Sequence, residues 1–225
     1  LLNKMSKQNT VFDDLKNNCD TTVGNKAGQY RLDEASIEYG GQEHGLGLYV
    51  QKIYVFEDID KFGITGWLEM MDSDNLISGA RKHQIMGQEL LKFKFRTLGS
   101  HLPVDFIKHP VHIHKIENIR QYDPGTGAQS VGTQQYRIHF CSPEMMNNDR
   151  IRVSKSYRGK RYDEMVEDIL VNFLKTKKDI RIEKTVGKYD IIIPNMHPYD
   201  AINFIAKQCV NKRNVTNYNF YETTK

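Results

Sequence analysis

Two histidines one residue apart, His112-Ile113-His114, are the first group in this sequence whose spacing suits chemistry. Residues i and i+2 of a strand share a face, and imidazoles so paired occur in metal sites. Two ligands are too few, and no acidic or Cys residue is placed to be the third. A surface or interface pair is the simpler reading. Acidic groups gather at Glu43-His44-Gly45 and at Glu57-Asp58-Ile59-Asp60. Paired carboxylates can do acid–base work, but a solvated turn between strands explains both clusters. Gly125-Thr126-Gly127 is not followed by a helical pattern, so it fails the context of a phosphate loop. Ser142 lacks the Gly-x-Ser-x-Gly setting of a nucleophile elbow. Cys141 ends a strand and reads as a core residue; Met70-Met71 and Met145-Met146 read as packing. No catalytic, cofactor-binding or metal-ligating set emerges. The chain is expected not to be an enzyme and to carry no cofactor.

A basic cluster remains. Arg150, Arg152, Lys155, Arg158, Lys160 and Arg161 fall within twelve residues, with Tyr157 and Tyr162 among them. Interleaved basic and aromatic residues can bind nucleic acid. The plainer reading is a solvated loop before a helix, or a face that meets an acidic partner. A basic lining would also matter around a channel through which DNA passes.

The composition bounds the class. The 225 residues suffice for one large domain or two small ones. Hydrophobic residues make up 39% and charged residues 27%, so a core can form and no apolar run approaches the ~20 residues of a membrane helix. The net charge of +4, from 32 basic against 28 acidic residues, does not by itself argue for nucleic acid. Cys19, Cys141 and Cys209 lie far apart without a Cys-x-x-Cys pair, which fits reduced thiols in a cytoplasmic setting. The start, Leu1-Leu2-Asn3-Lys4, has neither an initiator Met nor the succession of a signal peptide. No internal repeat is evident.

The elements that would position these residues follow from periodicity. Residues 1–29 are polar, with few periodic apolar positions, and read as an extended arm that orders against a neighbour. From Tyr30 to about Cys141 the pattern is that of strands. Ala35–Tyr39, Leu46–Phe56, Gly63–Asp72, Glu89–Thr97, Val104–Ile107, Val111–Ile116 and Gln134–Phe140 each alternate or run apolar between turn signals. Val50, Lys52, Tyr54 and Phe56 fall on one face of their strand; Tyr49, Gln51, Ile53 and Val55 fall on the other. A loop spans about Asp123 to Thr133. Six or more short strands so spaced imply a closed or nearly closed antiparallel barrel. After Ser142-Pro143-Glu144, one helical turn is expected, then a helix over Tyr162–Lys175 whose Met165, Ile169, Leu170, Phe173 and Leu174 form an apolar stripe. Strands are expected at Ile180–Thr185 and Tyr189–Pro194, a second helix at Tyr199–Val210, and a strand beginning at Tyr218–Glu222. The fold class is therefore α+β: an antiparallel β-barrel over 30–141, then a small α+β domain over 142–225, incomplete at its C-terminus.

Several segments together resemble the tail-tube-like baseplate hub of contractile-tailed bacteriophages (myoviruses). They are Phe56–Glu69 with Asp72 and Asn75-Leu76, Ile85–Glu89, Phe95-Arg96-Thr97, Phe140–Glu144, Ser154–Tyr157, Val166–Leu170 and Ile192–Lys207. The resemblance covers roughly residues 30–225, and its specificity lies in the order and spacing of these segments. It implies a tail-tube barrel with a small α/β insertion, and a second barrel beyond the end of this chain. Three copies of two barrels would make a ring of pseudo-sixfold symmetry. Such a ring matches a hexameric tail tube on one side and a trimeric central spike on the other. The partners implied are two further copies of the chain in a homotrimer, the tail tube protein, the spike and other baseplate proteins, with DNA or effectors passing through the lumen. The implied location is the virion's tail baseplate, assembled in the host cytoplasm and used in virus entry. The resemblance carries over no catalytic residue. The other readings are a component of a related contractile machine (a secretion-system spike or a tailocin), a hub-associated cell-wall hydrolase, and a nucleic-acid-binding barrel centred on Arg150–Arg161.

Overall fold

The computed structural model describes residues 29–39, 41–74, 76, 85–87, 89–97, 102–122, 133–210, 215–216 and 218–224. The arm over residues 1–29, except Gln29, lies outside them, as do Cys19 and the loop with Gly125-Thr126-Gly127. Eight strands form one antiparallel sheet: β1 (Tyr30–Tyr39), β2 (Gln42–Gly45), β3 (Val50–Phe56), β4 (Thr65–Asp72), β5 (Leu90–Thr97), β6 (Val104–Asp105), β7 (Val111–Tyr122) and β8 (Thr133–Cys141). Their order is β2-β1-β5-β7-β8-β4-β3, with β6 against β5. Inward positions come from the period of two. Leu68 and Met70 of β4, Leu91 and Phe93 of β5, Ile113 of β7 and Tyr136, Ile138 and Phe140 of β8 are almost wholly buried in one core.

The sheet is α+β in class but not the barrel expected from the sequence: its path ends at β2 and at β3. The turn Leu46–Tyr49 joins these two ends. On one side the Leu46 amide donates to the Ala35 carbonyl of β1 at 2.7 Å. On the other the Met71 amide of β4 donates to the Tyr49 carbonyl at 2.8 Å. Each flank of the turn is tied to a different end of the sheet. Across the gap, the Tyr30 hydroxyl donates to the Gln51 carbonyl at 3.0 Å. The turn also shortens the strand expected at Leu46–Phe56, and β2 was not foreseen.

The second half packs around its own cluster. α1 (Pro143–Arg150) opens with Pro at its first turn, where no amide partner is needed. β9 (Val153–Lys160) pairs antiparallel with β10 (Tyr189–Met196). α2 (Tyr162–Asp168) runs on into a π-helical turn over Ile169–Phe173, and α3 spans Pro198–Ala206. Val153, Met165, Ile169, Leu174, Ile193 and Ile202 are buried together. Arg150–Arg161, read from the sequence partly as a solvated loop, is mostly β9. The strand expected at Ile180–Thr185 is absent. Asp163 accepts bonds from the Thr185 amide and hydroxyl at 3.3 and 2.8 Å, which takes the donor a ladder would need. Ile180 and Ile182 still pack on the cluster, so their alternation recorded burial, not pairing. Tyr218–Glu222 is likewise irregular among the described residues.

The two clusters meet at the loop between β3 and β4. Phe62 on that loop packs against Tyr199 and Phe220, with ring centroids 5.3 and 6.1 Å apart. Behind it lies a charged network that the sequence did not announce. Glu144 accepts from Lys178 at 2.7 Å and from Thr176 at 2.7 Å. Lys178 also pairs with Glu222, whose other oxygen takes the Ile64 amide at 3.0 Å.

Candidate functional site

The outer face of β3, β4, β8 and β7 carries the most unusual surface of the described residues. One extra residue in β3 creates it. Val50 lies opposite Met70 and Lys52 opposite Glu69, so Gln51 is a bulge. Val50 is thereby turned to the core, while Lys52, Tyr54 and Phe56 face out. The sequence placed Val50 with the latter three, because strict alternation has no allowance for a bulge. A second bulge, between Ile113 and Lys115, inserts His114 into β7.

Register then builds two cross-strand rows. The first alternates in charge: Lys52, Glu69, Arg137 and Glu117 stand opposite one another in turn. Lys52 Nζ lies 3.1 Å and Arg137 Nη2 2.8 Å from the Glu69 carboxylate. Burial alone would raise the Glu69 pKa, but hydrogen bonds from Arg137 and Lys52 hold it below the ordinary value. The second row is aromatic. Trp67 packs at a tilt between Tyr54 at 4.9 Å and His139 at 5.7 Å, with Phe56 at 4.8 Å and the Arg137 guanidinium over its ring at 5.6 Å. His139 Nε2 is 2.7 Å from Glu117 Oε1, and the His114 ring is 6.2 Å beyond. Lys115 also pairs with Glu117. The outer face of β1 and β5 differs: Lys92–Glu38, Lys94–Asp105 and Arg96–Asp33 pairs cover it at 2.8, 3.2 and 2.8 Å, without an aromatic row.

The structure places the remaining candidates as follows. His112 and His114 do share the outer face, and burial holds both imidazoles below the ordinary histidine pKa. Arg150 adds to the effect at His112; His139 and Lys115 add to it at His114. Among the described residues, no group of three or more His, Cys, Asp or Glu could hold a metal ion. Glu43 accepts from Ser36 Oγ at 2.6 Å. Asp58 caps the Asp60 amide at 3.0 Å, and Glu57 takes the Thr224 amide and hydroxyl at 3.1 and 2.9 Å. These acidic groups are engaged in turns and chain contacts and do not converge. Ser142 is wholly buried at the start of α1. Cys141 and Cys209 are buried, which pushes each thiol up to about 11. Met70 is buried in the core, whereas Met71 is exposed on the outer face beyond the aromatic row.

The basic segment divides in two. Lys155 faces inward to Asp168 at 2.7 Å and lies over the Tyr157 ring at 5.1 Å, whose hydroxyl donates to the same carboxylate at 2.6 Å. Arg161 pairs with Asp163 at 3.0 Å and Glu164 at 3.3 Å. Arg150, Arg152, Arg158 and Lys160 remain exposed.

No protein-family profile and no curated protein matches this chain. Among solved structures it is similar to the 43 kDa tail protein of prophage MuSo2 from Shewanella oneidensis. That likeness has a TM-score of 0.51 at 12% identity, over 80% of this chain and 48% of the other. The chain shares its fold with a phage tail protein. Weaker likenesses run to a tail protein from Neisseria meningitidis (TM-score 0.46, 13% identity, 79% of this chain, 44% of the other). They also run to an Escherichia coli component of the type VI secretion system described as structurally similar to bacteriophage T4 tail proteins (0.42, 10%, 80%, 42%). The chain spans about half the length of the tail proteins it matches.

Proposed function

We propose that this chain belongs to a structural virion protein, the central hub of a contractile-tail baseplate, and that it does no catalysis. In this reading residues 30–141 are the tube-like domain and 142–225 a small α+β domain. Three copies form a ring between the hexameric tail tube and the trimeric spike, around the channel for DNA. The observation that carries the reading is the fold shared with a phage tail protein over four-fifths of the chain. The outer face of β3, β4 and β8 supports it. Tyr54 and Phe56 are 38% and 39% exposed beside Trp67 on a strand with one edge unpaired among the described residues. An aromatic row beside an ionic ladder suits the centre of a subunit contact. Proteins ordinarily cover an edge of that kind.

The test is co-expression of the full-length protein that carries this chain with the tail tube and spike proteins of the same genome. The reading requires a stable complex holding three copies per spike trimer. Recovery of the protein free of both would overturn it.

A further inference from the structure

The basic excess of this protein is confined to one half. Residues 142–225 hold sixteen Lys and Arg against eleven Asp and Glu, whereas residues 1–141 hold sixteen against seventeen. Within the basic half, residues 150–161 contain six cations and no acid. The fold sorts those six. Lys155 and Arg161 have carboxylate partners. Arg150, Arg152, Arg158 and Lys160 have no ion pair among the described residues and are exposed; Arg152 donates only to the Asn195 carbonyl, at 3.3 Å.

β9 supplies the geometry. Val153 and Tyr157 point into the cluster, so Ser154, Ser156 and Arg158 line the opposite, exposed face. Gly159, at φ +59°, donates its amide to Asp190 at 2.7 Å and turns the strand before Lys160. Asp190 forms no ion pair with Arg158 or Lys160 among the described residues. Glu164 and Asp168, near the other edge of Lys155 and Tyr157, are held by Arg161 and Lys155. At about 3.3 Å per residue, Arg152 to Lys160 spans roughly 26 Å. That is the length of about eight base pairs of duplex DNA, which carries a phosphate on each strand every ~3.4 Å. Serine hydroxyls between the cations add donors for phosphate oxygens.

We infer that the exposed face of β9, with Arg150 and Arg152 at its start, binds the phosphodiester backbone of duplex DNA without reading its sequence. The inference does not depend on the hub reading: the charge, spacing and exposure would have the same meaning in any protein of this fold. An acidic protein face is the competing occupant.

The experiment is fluorescence anisotropy of a labelled 30-base-pair duplex with the full-length protein, titrated from 50 to 200 mM salt. Four phosphate contacts give a slope of log K against log salt of about −3.6, a loss of about 150-fold over that range. Removing two contacts in Arg158→Ala with Lys160→Ala lowers the slope to about −1.8, a loss of about 12-fold. Lys175→Ala with Lys177→Ala, which removes the same charge elsewhere in the basic half, leaves the slope unchanged. Equal effects of both pairs, or no binding at 50 mM salt, would overturn the inference. So would displacement of the duplex by polyglutamate at concentrations where heparin is ineffective, which would point to an acidic protein instead.

Discussion

Gly66 of β4 offers a sharp test of how β3 is held. A Cβ at this position would stand 2.2 Å from the Tyr54 carbonyl oxygen and 2.4 Å from Cζ of Phe140. Carbon contacts are comfortable at about 3.5–4.0 Å, so more than an ångström must be found. Neither neighbour can give way alone. The oxygen belongs to the backbone of β3, and Phe140 is fully buried, 5.2 Å from Phe93 and 6.2 Å from Phe106. Overpacking of a close-packed core costs about 1–3 kcal/mol, and two fixed obstacles place Gly66→Ala at the upper end. The stiffer unfolded chain returns about 0.4–1 kcal/mol, leaving a net loss of about 2 kcal/mol or more. Trp67, the single tryptophan, is the next residue and packs against Tyr54, so its fluorescence reports on this strand pair. With a urea slope of roughly 3 kcal/mol per molar, the midpoint should fall by about 0.7 M or more. Gly47→Ala, where no atom lies within 4 Å of the added Cβ, should shift it by less than about 0.2 M. Equal midpoints for the two variants would refute the packing argument.

Other consequences can be checked together. Glu144→Gln breaks one of the two pairs made by Lys178 and should cost about 1–2 kcal/mol, less than breaking a fully buried pair because Lys178 is partly exposed and keeps Glu222. Burial opposes the charge on Glu144, yet Lys178 and Thr176 hold its pKa below the ordinary carboxylate value. Its contribution is therefore present above that value and lost as pH falls through the lower folded one. Acid unfolding followed by circular dichroism should steepen below about pH 4, and less so in Glu144→Gln. His112 and His114 have folded pKa values below the ordinary one, so the unfolded chain binds more protons just below about pH 6.5. Stability should fall as pH drops through that window, and His112→Gln with His114→Gln should flatten the fall. At pH 7.5 the native Cys141 and Cys209 thiols, at about 11, should resist iodoacetamide until urea unfolds the chain. Tyr54→Ser with Phe56→Ser should weaken self-association tenfold or more while leaving the circular dichroism spectrum intact.

Much of the sheet was legible because one face of each strand is buried. The alternation in Glu89–Thr97 and Gln134–Phe140 was that of the observed β5 and β8. What failed did so for local reasons. Periodicity cannot see a bulge, so Val50 was put on the wrong face. It could not tell the turn at Leu46–Tyr49, which joins the two ends of the open sheet, from a strand. It read Ile180–Thr185 as a strand because packing against helices also spaces apolar residues by two. β9 was missed because five of its eight residues are Lys, Arg or Ser on exposed or half-exposed positions, and only Val153 and Tyr157 mark the buried face. Of the candidate site, His112 and His114 were seen as a surface or interface pair, and Tyr54 and Phe56 were placed on one face. Their assembly with Trp67, His139 and the Lys52–Glu117 ladder depends on a register between distant strands, which no local pattern encodes.

The central claim is that this fold serves as a self-assembling hub subunit. Light scattering of the full-length protein across a concentration series, with and without its spike, tests it most directly. The account expects a mass of three chains, either alone or on adding the spike. A monomer at every concentration, unchanged by the spike, would contradict it.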